Sequence, residues 1–178
     1  NFDRLKAYPV EEWHGGKIQK IRPSVIHLMR GQVYELDGKK IFTFGGASSH
    51  DIDGGILELD DPDYKKKKKE LDKGWKPYRI NHLSWWKEEL PSAEEMEEGR
   101  RNLLMHNSEV NFIVTHCASS STAALLSHGI YKPDLLTDYL EEIRQTVKFK
   151  KWFFGHYHDN QNVNTEEILL WEQIIRIS

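Results

Sequence analysis

Two apolar runs that each end in histidine constrain the fold of this chain more than any other feature. Residues 110–115 precede His116, and residues 153–154 precede Gly155 and the sequence His156-Tyr157-His158. Residues 133–147 lie between the two runs and place their apolar side chains on one helical face. A strand, a helix and a second strand in this order predict parallel strands joined by a right-handed crossover. Their carboxyl ends meet at one edge of the sheet, where we expect the histidines.

The chemistry of imidazole makes a metal site the leading interpretation of this pattern. Neutral imidazole is a good ligand for zinc, iron, manganese and nickel. Gly155 allows a tight turn before His156, and His156 and His158 would face opposite ways if the strand continued, so that they could serve two adjacent metals. One histidine at a strand end is usually structural, but three at the ends of two linked strands predict metal ligands. These are His116, His156 and His158.

Bulk composition limits the class of protein. With 178 residues, of which 38% are hydrophobic, we interpret residues 1–178 as a single domain or a domain fragment. A formal net charge of −3 argues against nucleic acid as a partner. The one cysteine, Cys117, excludes an internal disulfide and fits a reducing compartment. No apolar stretch could span a bilayer and no secretory signal is visible, so we expect a cytoplasmic protein with no membrane partner.

The segment before the first histidine predicts a meander of strands. Residues 24–30, 32–36 and 40–44 have strand patterns, and Asp37-Gly38 suits the tight primed turn of a β-hairpin. A loop rich in glycine and serine follows at residues 45–49. The meander and the strand-helix-strand unit together predict an α/β fold with mixed β-sheets flanked by helices.

The other segments have less regular patterns. Residues 52–78 carry a run of lysines flanked by acidic residues, and we interpret them as a charged insertion or loop, not a nucleic-acid surface. Residues 1–20 predict a short helix followed by a loop. Ser92 and Glu95 form a capping-box pattern, which predicts a helix to about His106. Two closing strands are predicted at residues 168–171 and 174–177.

The histidine motifs resemble the last two sequence blocks of the calcineurin-like metallophosphoesterases. In that superfamily an apolar strand ends in histidine, as at Val114-Thr115-His116, and a later block reads Gly-His-X-His, as at residues 155–158. Residues 1–5 resemble the segment directly after a Gly-Asn-His-Glu block in small bacterial members. Residues 45–48 and 84–89 resemble further segments of that subgroup. The resemblance covers nearly the whole chain except residues 52–78, and it implies that the chain is part of a metallophosphoesterase-type sandwich.

This resemblance implies a metal-dependent hydrolase that acts on phosphate esters through two divalent ions, which would be Mn, Fe, Zn or Ni. By correspondence of the motifs, His116 and His156 match ligands of the second metal and His158 matches a ligand of the first. The paired ions would lower the pKa of a bridging water and hold the phosphate. The substrate would be a small phosphorylated molecule or a phosphoprotein. A phosphodiesterase or a nuclease is an alternative within the same class.

The sequence also departs from the family pattern. The Asp-X-His, Gly-Asp and Gly-Asn-His blocks are absent, and by resemblance these supply the bridging aspartate, further ligands and the histidine that assists the leaving group. Three imidazoles alone give two cations no bridging anionic oxygen. We therefore interpret the chain as the C-terminal portion of a phosphoesterase with an incomplete metal site, no identified catalytic residue and no turnover alone. Strand edges left open would favour association of copies.

His50, Asp51 and Arg79 are candidates for substrate binding. Arginine pairs with phosphate through its planar fork, and the loop at residues 45–49 could bring His50 and Asp51 to the same edge. An ordinary surface loop with a structural ion pair is the alternative. For the whole chain, two alternatives to an enzyme are a non-catalytic module that holds one metal and a plain α/β interaction domain whose histidines only cap strands.

Overall fold

A computed structural model describes residues 2–177 as eleven β-strands and five α-helices. The strands are β1 (Val10–Trp13), β2 (Gly16–Arg22), β3 (Val25–Leu28), β4 (Gln32–Leu36), β5 (Lys39–Phe44), β6 (Ile56–Leu57), β7 (Arg79–Ile80), β8 (Phe112–Thr115), β9 (Lys151–Phe154), β10 (Gln161–Asn162) and β11 (Glu167–Leu169). The helices are α1 (Phe2–Leu5), α2 (Tyr64–Lys73), α3 (Ala93–Met105), α4 (Ser120–Leu126) and α5 (Leu135–Thr146), and Lys87–Glu89 form one 3-10 turn. Within this part of the chain, no helix is long and apolar enough to cross a membrane.

The centre of the fold is a six-stranded mixed sheet in the order β10-β11-β9-β8-β5-β4. The inner strands β5, β8, β9 and β11 are parallel, whereas β4 and β10 run antiparallel to their neighbours. Helices α4 and α5 connect β8 to β9, which confirms the predicted strand-helix-strand unit with parallel strands. The chain is therefore a mixed α/β structure with several sheets flanked by helices.

One face of the central sheet packs against helices and forms the hydrophobic core. Phe42, Ile113 and Trp152 lie side by side on neighbouring strands, and each is at most 1% exposed. Helix α5 buries Leu136, Tyr139, Leu140 and Ile143, and Val147 after it is also buried. Leu135, which the periodicity places on the same face, is 60% exposed in the first turn. Burying each such side chain contributes roughly 1.5–3 kcal/mol, so this face fixes α5 on the sheet.

Both long helices in this core begin at capping boxes. The Glu95 N–H donates to Ser92 Oγ over 3.2 Å and the Ser92 N–H donates to Glu95 Oε2 over 2.8 Å, so α3 starts where the sequence predicts. At α5, the Thr137 N–H donates to Asp134 Oδ1 over 2.8 Å. These contacts satisfy amide groups that have no partner inside a helix.

The predicted meander is only partly correct. β4 and β5 form the expected hairpin, because Asp37 (φ 48°) and Gly38 (φ 67°) adopt the primed turn. β3, however, pairs with β2 in a separate antiparallel sheet, β1-β2-β3. Residues 10–22, predicted as a loop, form the β1–β2 hairpin of this sheet, because His14 (φ 49°) and Gly15 (φ 89°) also adopt a primed turn.

The small sheet covers the β4 end of the central sheet on the face opposite the helices. The Tyr34 hydroxyl donates to the Lys17 carbonyl over 2.5 Å, and the Thr43 hydroxyl donates to the Met29 carbonyl over 3.0 Å. At the β8–β9 end of that face, Phe112 and Phe153 pack on one another with ring centroids 6.0 Å apart. Both of these rings are buried, whereas Val114 on the same face is 42% exposed.

Two peripheral segments of the chain are residues 52–78 and the predicted closing strands near the C-terminus. Residues 52–78 contain β6 and α2, and β6 pairs with β7 in a small parallel sheet of its own. Helix α2 buries none of its residues. The first closing strand is present as β11, but the prediction of a strand at residues 174–177 is wrong. β10 already occupies the edge beside β11, and Ile174 is fully exposed.

Candidate functional site

A cleft of about 1710 Å³ lies at the carboxyl ends of β5, β8 and β9. Residues in the loop after each of these strands line the cleft. The cleft is lined by all six residues that the sequence singles out: His50, Asp51, Arg79, His116, His156 and His158. Ligand sites in open α/β sheets are expected at this position.

Sheet pairing continues beyond the strands and sets the backbone of His116 beside that of Gly155, the residue before His156. The His116 N–H donates to the Phe44 carbonyl over 3.4 Å, and the Gly155 N–H donates to the His116 carbonyl over 3.0 Å. Both histidines therefore leave the sheet at the same level, from adjacent parallel strands. The strand ends bring these two residues together, as the sequence predicts.

The backbone at His156 turns sharply away from the sheet. The Tyr157 N–H donates to the Gly155 carbonyl over 2.9 Å, and the φ of His156 is 73°. An i to i+2 hydrogen bond with positive φ is the rare, strained form of the γ-turn. His158 also has positive φ, at 52°. Because β9 ends at Phe154, strand alternation does not decide where the two imidazoles face.

Three imidazoles, those of His50, His116 and His156, form what we call the imidazole cluster. The Nε2 atoms of His50 and His156 are 3.0 Å apart, and these ring centroids are 5.2 Å apart. The ring of His116 stands edge-on to that of His156, with centroids 5.1 Å apart. The cluster therefore gathers side chains from the loops after three adjacent strands.

Aromatic side chains that the sequence did not indicate hold several of these rings. Tyr131 stacks on His50 with centroids 5.5 Å apart and on Tyr157 with centroids 5.7 Å apart. His158 stacks on Trp171 at 5.7 Å and lies beside the cluster, not within it. No local sequence pattern indicates these roles, because each stack joins two loops that are distant along the chain.

Burial favours the neutral form of two imidazoles in the cluster, those of His116 and His156. Desolvation by the surrounding protein and, to a smaller extent, the neighbouring rings of His116 and His50 lower the pKa of His156 to about 4. Desolvation also lowers the pKa of His116, against a smaller opposing effect of Glu89. Uncharged rings of this kind keep a nitrogen lone pair available for a cation.

Asp51 and Arg79 form an ion pair at the rim of the cleft. Arg79 Nε donates to Asp51 Oδ1 over 2.8 Å, and a terminal guanidinium nitrogen donates to Asp51 Oδ2. The hydrogen bonds from Arg79 hold the pKa of the Asp51 carboxyl below its usual value. The pair that the sequence left as an alternative is therefore present, and a role in phosphate binding stays a prediction.

The donor set fits a nitrogen-preferring metal only in part. Among residues 2–177, no three His, Cys, Asp or Glu side chains have the spacing of a ready-made metal site. Asp51 is engaged by Arg79, Asp134 accepts from Ser48, and burial raises the pKa of Cys117 to about 12. Neutral imidazoles suit zinc, nickel or iron, but two adjacent cations also require anionic oxygen.

Comparisons with known proteins return no match: no protein-family model, curated protein or solved structure is significantly similar to the chain. The geometry and chemistry of the cleft therefore carry the functional assignment.

Proposed function

We propose that the chain contributes the histidine side of a dinuclear metal centre that hydrolyses phosphate esters. The observation that carries this proposal is the convergence of His116 and His156 in one cleft from the ends of adjacent parallel strands. Two neutral imidazoles at this position are what a catalytic transition-metal site requires of its nitrogen ligands. His158 lines the same cleft and supplies a further nitrogen ligand.

The substrate proposed for this cleft is a small phosphorylated molecule or a phosphoprotein. Arg79 lies at the rim, and its guanidinium holds a carboxylate in the two-point geometry that also suits phosphate. Sites for drug-sized ligands measure about 300–1,000 Å³, so a cleft of about 1710 Å³ leaves room beside such a substrate. That room would admit a further polypeptide segment.

We propose that the carboxylate ligands come from such a segment, outside residues 1–178. When bound, a metal pair supplies Lewis acidity and a water of lowered pKa, and it needs bridging oxygen ligands to do so. The imidazole cluster contains no carboxylate, and the nearby Asp51 is held by Arg79. The role of His116, His156 and His158 is to present nitrogen lone pairs, and the chain alone is proposed to be inactive.

We further propose that the central sheet is one layer of a metallophosphoesterase-type sandwich. The small sheet lies over its outer face near β4, and Val114 on β8 remains 42% exposed. Parallel strands are normally covered on both faces. A second layer on this face would also place its strand ends at the cleft.

Hydrolysis of p-nitrophenyl phosphate with added manganese tests the proposal. We expect no turnover by residues 1–178 alone and metal-dependent turnover by the complete gene product. In the latter, His156→Ala should abolish both turnover and metal retention, while His128→Ala, at an exposed histidine outside the cleft, should leave both unchanged. Turnover by residues 1–178 alone would refute the need for further ligands, and a complete gene product without metal-dependent activity would refute the function.

A metal-binding module without catalysis is the second candidate. The all-nitrogen character of the predicted ligands His116, His156 and His158, which line one cleft, favours it, since three imidazoles can hold one divalent ion. Metal analysis of the complete gene product separates the two candidates. Two ions per chain support the phosphoesterase, and one ion without hydrolysis supports the module.

A further inference from the structure

His50 approaches His156 more closely than a residue with only a substrate-binding role needs to. The two Nε2 atoms are 3.0 Å apart, although the residues belong to loops that follow β5 and β9. One simple explanation is a hydrogen bond, in which one ring donates its Nε2–H to the lone pair of the other. The same spacing also has a second explanation.

Two imidazoles that hold one metal ion have a characteristic separation. A metal–nitrogen bond of about 2.0–2.1 Å and an angle between 90° and 109° at the metal place the two nitrogens about 2.9–3.4 Å apart. The observed 3.0 Å corresponds to an angle close to 90°, and a tetrahedral angle would require the two nitrogens to move about 0.3 Å apart. The Nε2 atoms of His50 and His156 therefore already have the separation of two ligands on one ion.

The surroundings of His50 hold its ring in this orientation. Tyr131 stacks on it with only 14° between the planes, and Tyr131 also stacks on Tyr157, the neighbour of His156. The loop before His50 is tied down as well, because the Ser48 hydroxyl donates to Asp134 and the Ser49 hydroxyl donates to Glu89 Oε2 over 3.2 Å. Preorganised ligands of this kind lose little conformational freedom when they bind a cation.

The carboxylate of the neighbouring residue is already paired, which leaves the nitrogen of His50 as the donor that this loop offers to the cluster. Asp51 is held by two hydrogen bonds from Arg79, which direct its carboxylate away from the role of metal ligand. His116 stands edge-on to His156 on the other side, with centroids 5.1 Å apart. A rotation of the His116 ring would add a third nitrogen to the pair.

We propose that His50 is a metal ligand and that His50 and His156 bind one divalent transition-metal ion through their Nε2 atoms, with His116 completing the set. The ion is of the class that prefers nitrogen, such as Zn²⁺ or Co²⁺. This goes beyond the proposed phosphoesterase function, which requires no ligand from the loop at residues 45–51. With these three ligands, residues 1–178 would bind one metal ion without any further segment.

Titration of residues 1–178 with Co²⁺, followed by visible absorption and calorimetry, tests the proposal. We expect one equivalent to bind, and His50→Ala and His156→Ala each to weaken the affinity by at least about tenfold, as loss of a metal ligand or its support does. His128→Ala is the matched control, because His128 is exposed, has positive φ and lies outside the cleft. It should bind Co²⁺ like the unmodified chain.

His50→Gln distinguishes a shared metal from a hydrogen bond and covers the case in which His50→Ala fails to fold. Glutamine keeps a donor and an acceptor for His156 but is a poor ligand for a transition metal. The proposal requires that His50→Gln binds Co²⁺ more weakly than the unmodified chain. It also requires that the variant does not show the Co²⁺ absorption bands of the unmodified chain. Unaltered binding by His50→Gln, or no Co²⁺ binding by the unmodified chain, would overturn it. The first result leaves the phosphoesterase proposal standing, because His116, His156 and His158 would still bind metal in the complete gene product.

Discussion

His156 has a backbone conformation that L-residues adopt only when their surroundings enforce it. Its φ is 73°, and the Tyr157 N–H closes the turn onto the Gly155 carbonyl. Such conformations cost of order 1–3 kcal/mol and are concentrated at functional sites. His156, which carries this cost, is also a proposed metal ligand. We therefore expect function and stability to oppose each other at this position.

Replacing His156 with glycine or alanine measures this cost. Both variants lose the imidazole, but only glycine adopts positive φ without strain. We expect His156→Gly to be more stable than His156→Ala by about 1 kcal/mol in urea unfolding. The same pair of changes at His106, where φ is −100°, should show no advantage for glycine. Equal stability of the two His156 variants would show that the turn is unstrained.

The sequence predicted site residues where strand ends position them, and it missed residues placed by loop contacts. His116 and His156 were predicted to lie together because both follow parallel strands, and the structure confirms this. His50 was predicted to reach the same edge, but its 3.0 Å approach to His156 has no local signal. Tyr131 and Trp171 were missed for the same reason, since stacking depends on where the loops fold in space.

Helix α4, which begins four residues after His116, is capped by another helix. The backbone N–H and the hydroxyl of Ser121 donate to Glu141 Oε2 over 3.0 and 2.6 Å, and the Gln145 amide donates to Oε1 over 3.0 Å. Burial alone would raise the pKa of Glu141, but these hydrogen bonds outweigh it and lower the pKa to about 2. The carboxylate of α5 thus holds the start of α4 and the segment beside the cleft.

Glu141→Gln should flatten the acid side of the stability profile. Because the pKa of Glu141 is lower in the folded chain than its usual value of 4.5, its contribution is full above about pH 4.5 and is lost as the pH falls towards 2. We expect the unmodified chain to lose about 2 kcal/mol more than Glu141→Gln over this interval in urea unfolding. Glu109→Gln, at an exposed position outside both helices, should behave like the unmodified chain. Parallel profiles for Glu141→Gln and the unmodified chain would contradict the capping role.

The loop at residues 45–51 depends on one of its two glycines. A Cβ at Gly46, where φ is 118°, would lie 2.4 Å from the Glu89 carbonyl oxygen, whereas a Cβ at Gly45 would meet no atom within 4 Å. We expect Gly46→Ala to destabilise the chain by about 1–3 kcal/mol and to displace His50. Gly45→Ala should leave the stability unchanged within about 0.5 kcal/mol. Thermal unfolding of both variants measures this, and equal effects would contradict the close packing of the loop.

Element types were predictable where local chemistry is strong, and strand partners were not. Asp37-Gly38 and the Ser92–Glu95 capping box have short-range signatures, and both structures form as predicted. The pairing of β3 with β2 instead of β4 depends on where the β1–β2 hairpin packs, which is a long-range effect. Residues 10–22 do contain a turn signal, Gly15-Gly16. The charged residues around Trp13, however, obscure the alternation of apolar and polar residues that indicates a strand.

For the whole molecule, the sequence predicts that open strand edges of the sheet favour association of copies, but the edge strand β4 and the outer face near β8 differ in how exposed they are. The edge strand β4 is partly blocked, because the Glu35 N–H donates to the His14 carbonyl in the β1–β2 turn over 2.8 Å. The outer face near β8 is exposed at one position, since Val114 is 42% exposed although Phe112 and Phe153 beside it are buried. Association of copies is therefore expected through this face and not through the β4 edge.

Val114→Lys tests association through the outer face. We expect residues 1–178 to show a mass that rises with concentration in light scattering, because two copies would cover each other's exposed Val114. Val114→Lys should remain a monomer, since it places a charge on that face. Val25→Lys is the control, because Val25 is 48% exposed but lies on the small sheet. A monomer at every concentration, or equal effects of the two variants, would contradict this prediction.

The imidazole cluster joins loops that follow β5, β8 and β9, and a metal bound there as proposed would link the amount of folded chain to the metal supply. An unfolded chain cannot present His50, His116 and His156 together, so a metal that binds there favours the folded state by mass action. At a free metal concentration of 100 times Kd this amounts to about 2.7 kcal/mol. Proteases degrade the unfolded chain preferentially. Cellular abundance of the protein would then rise and fall with the available metal.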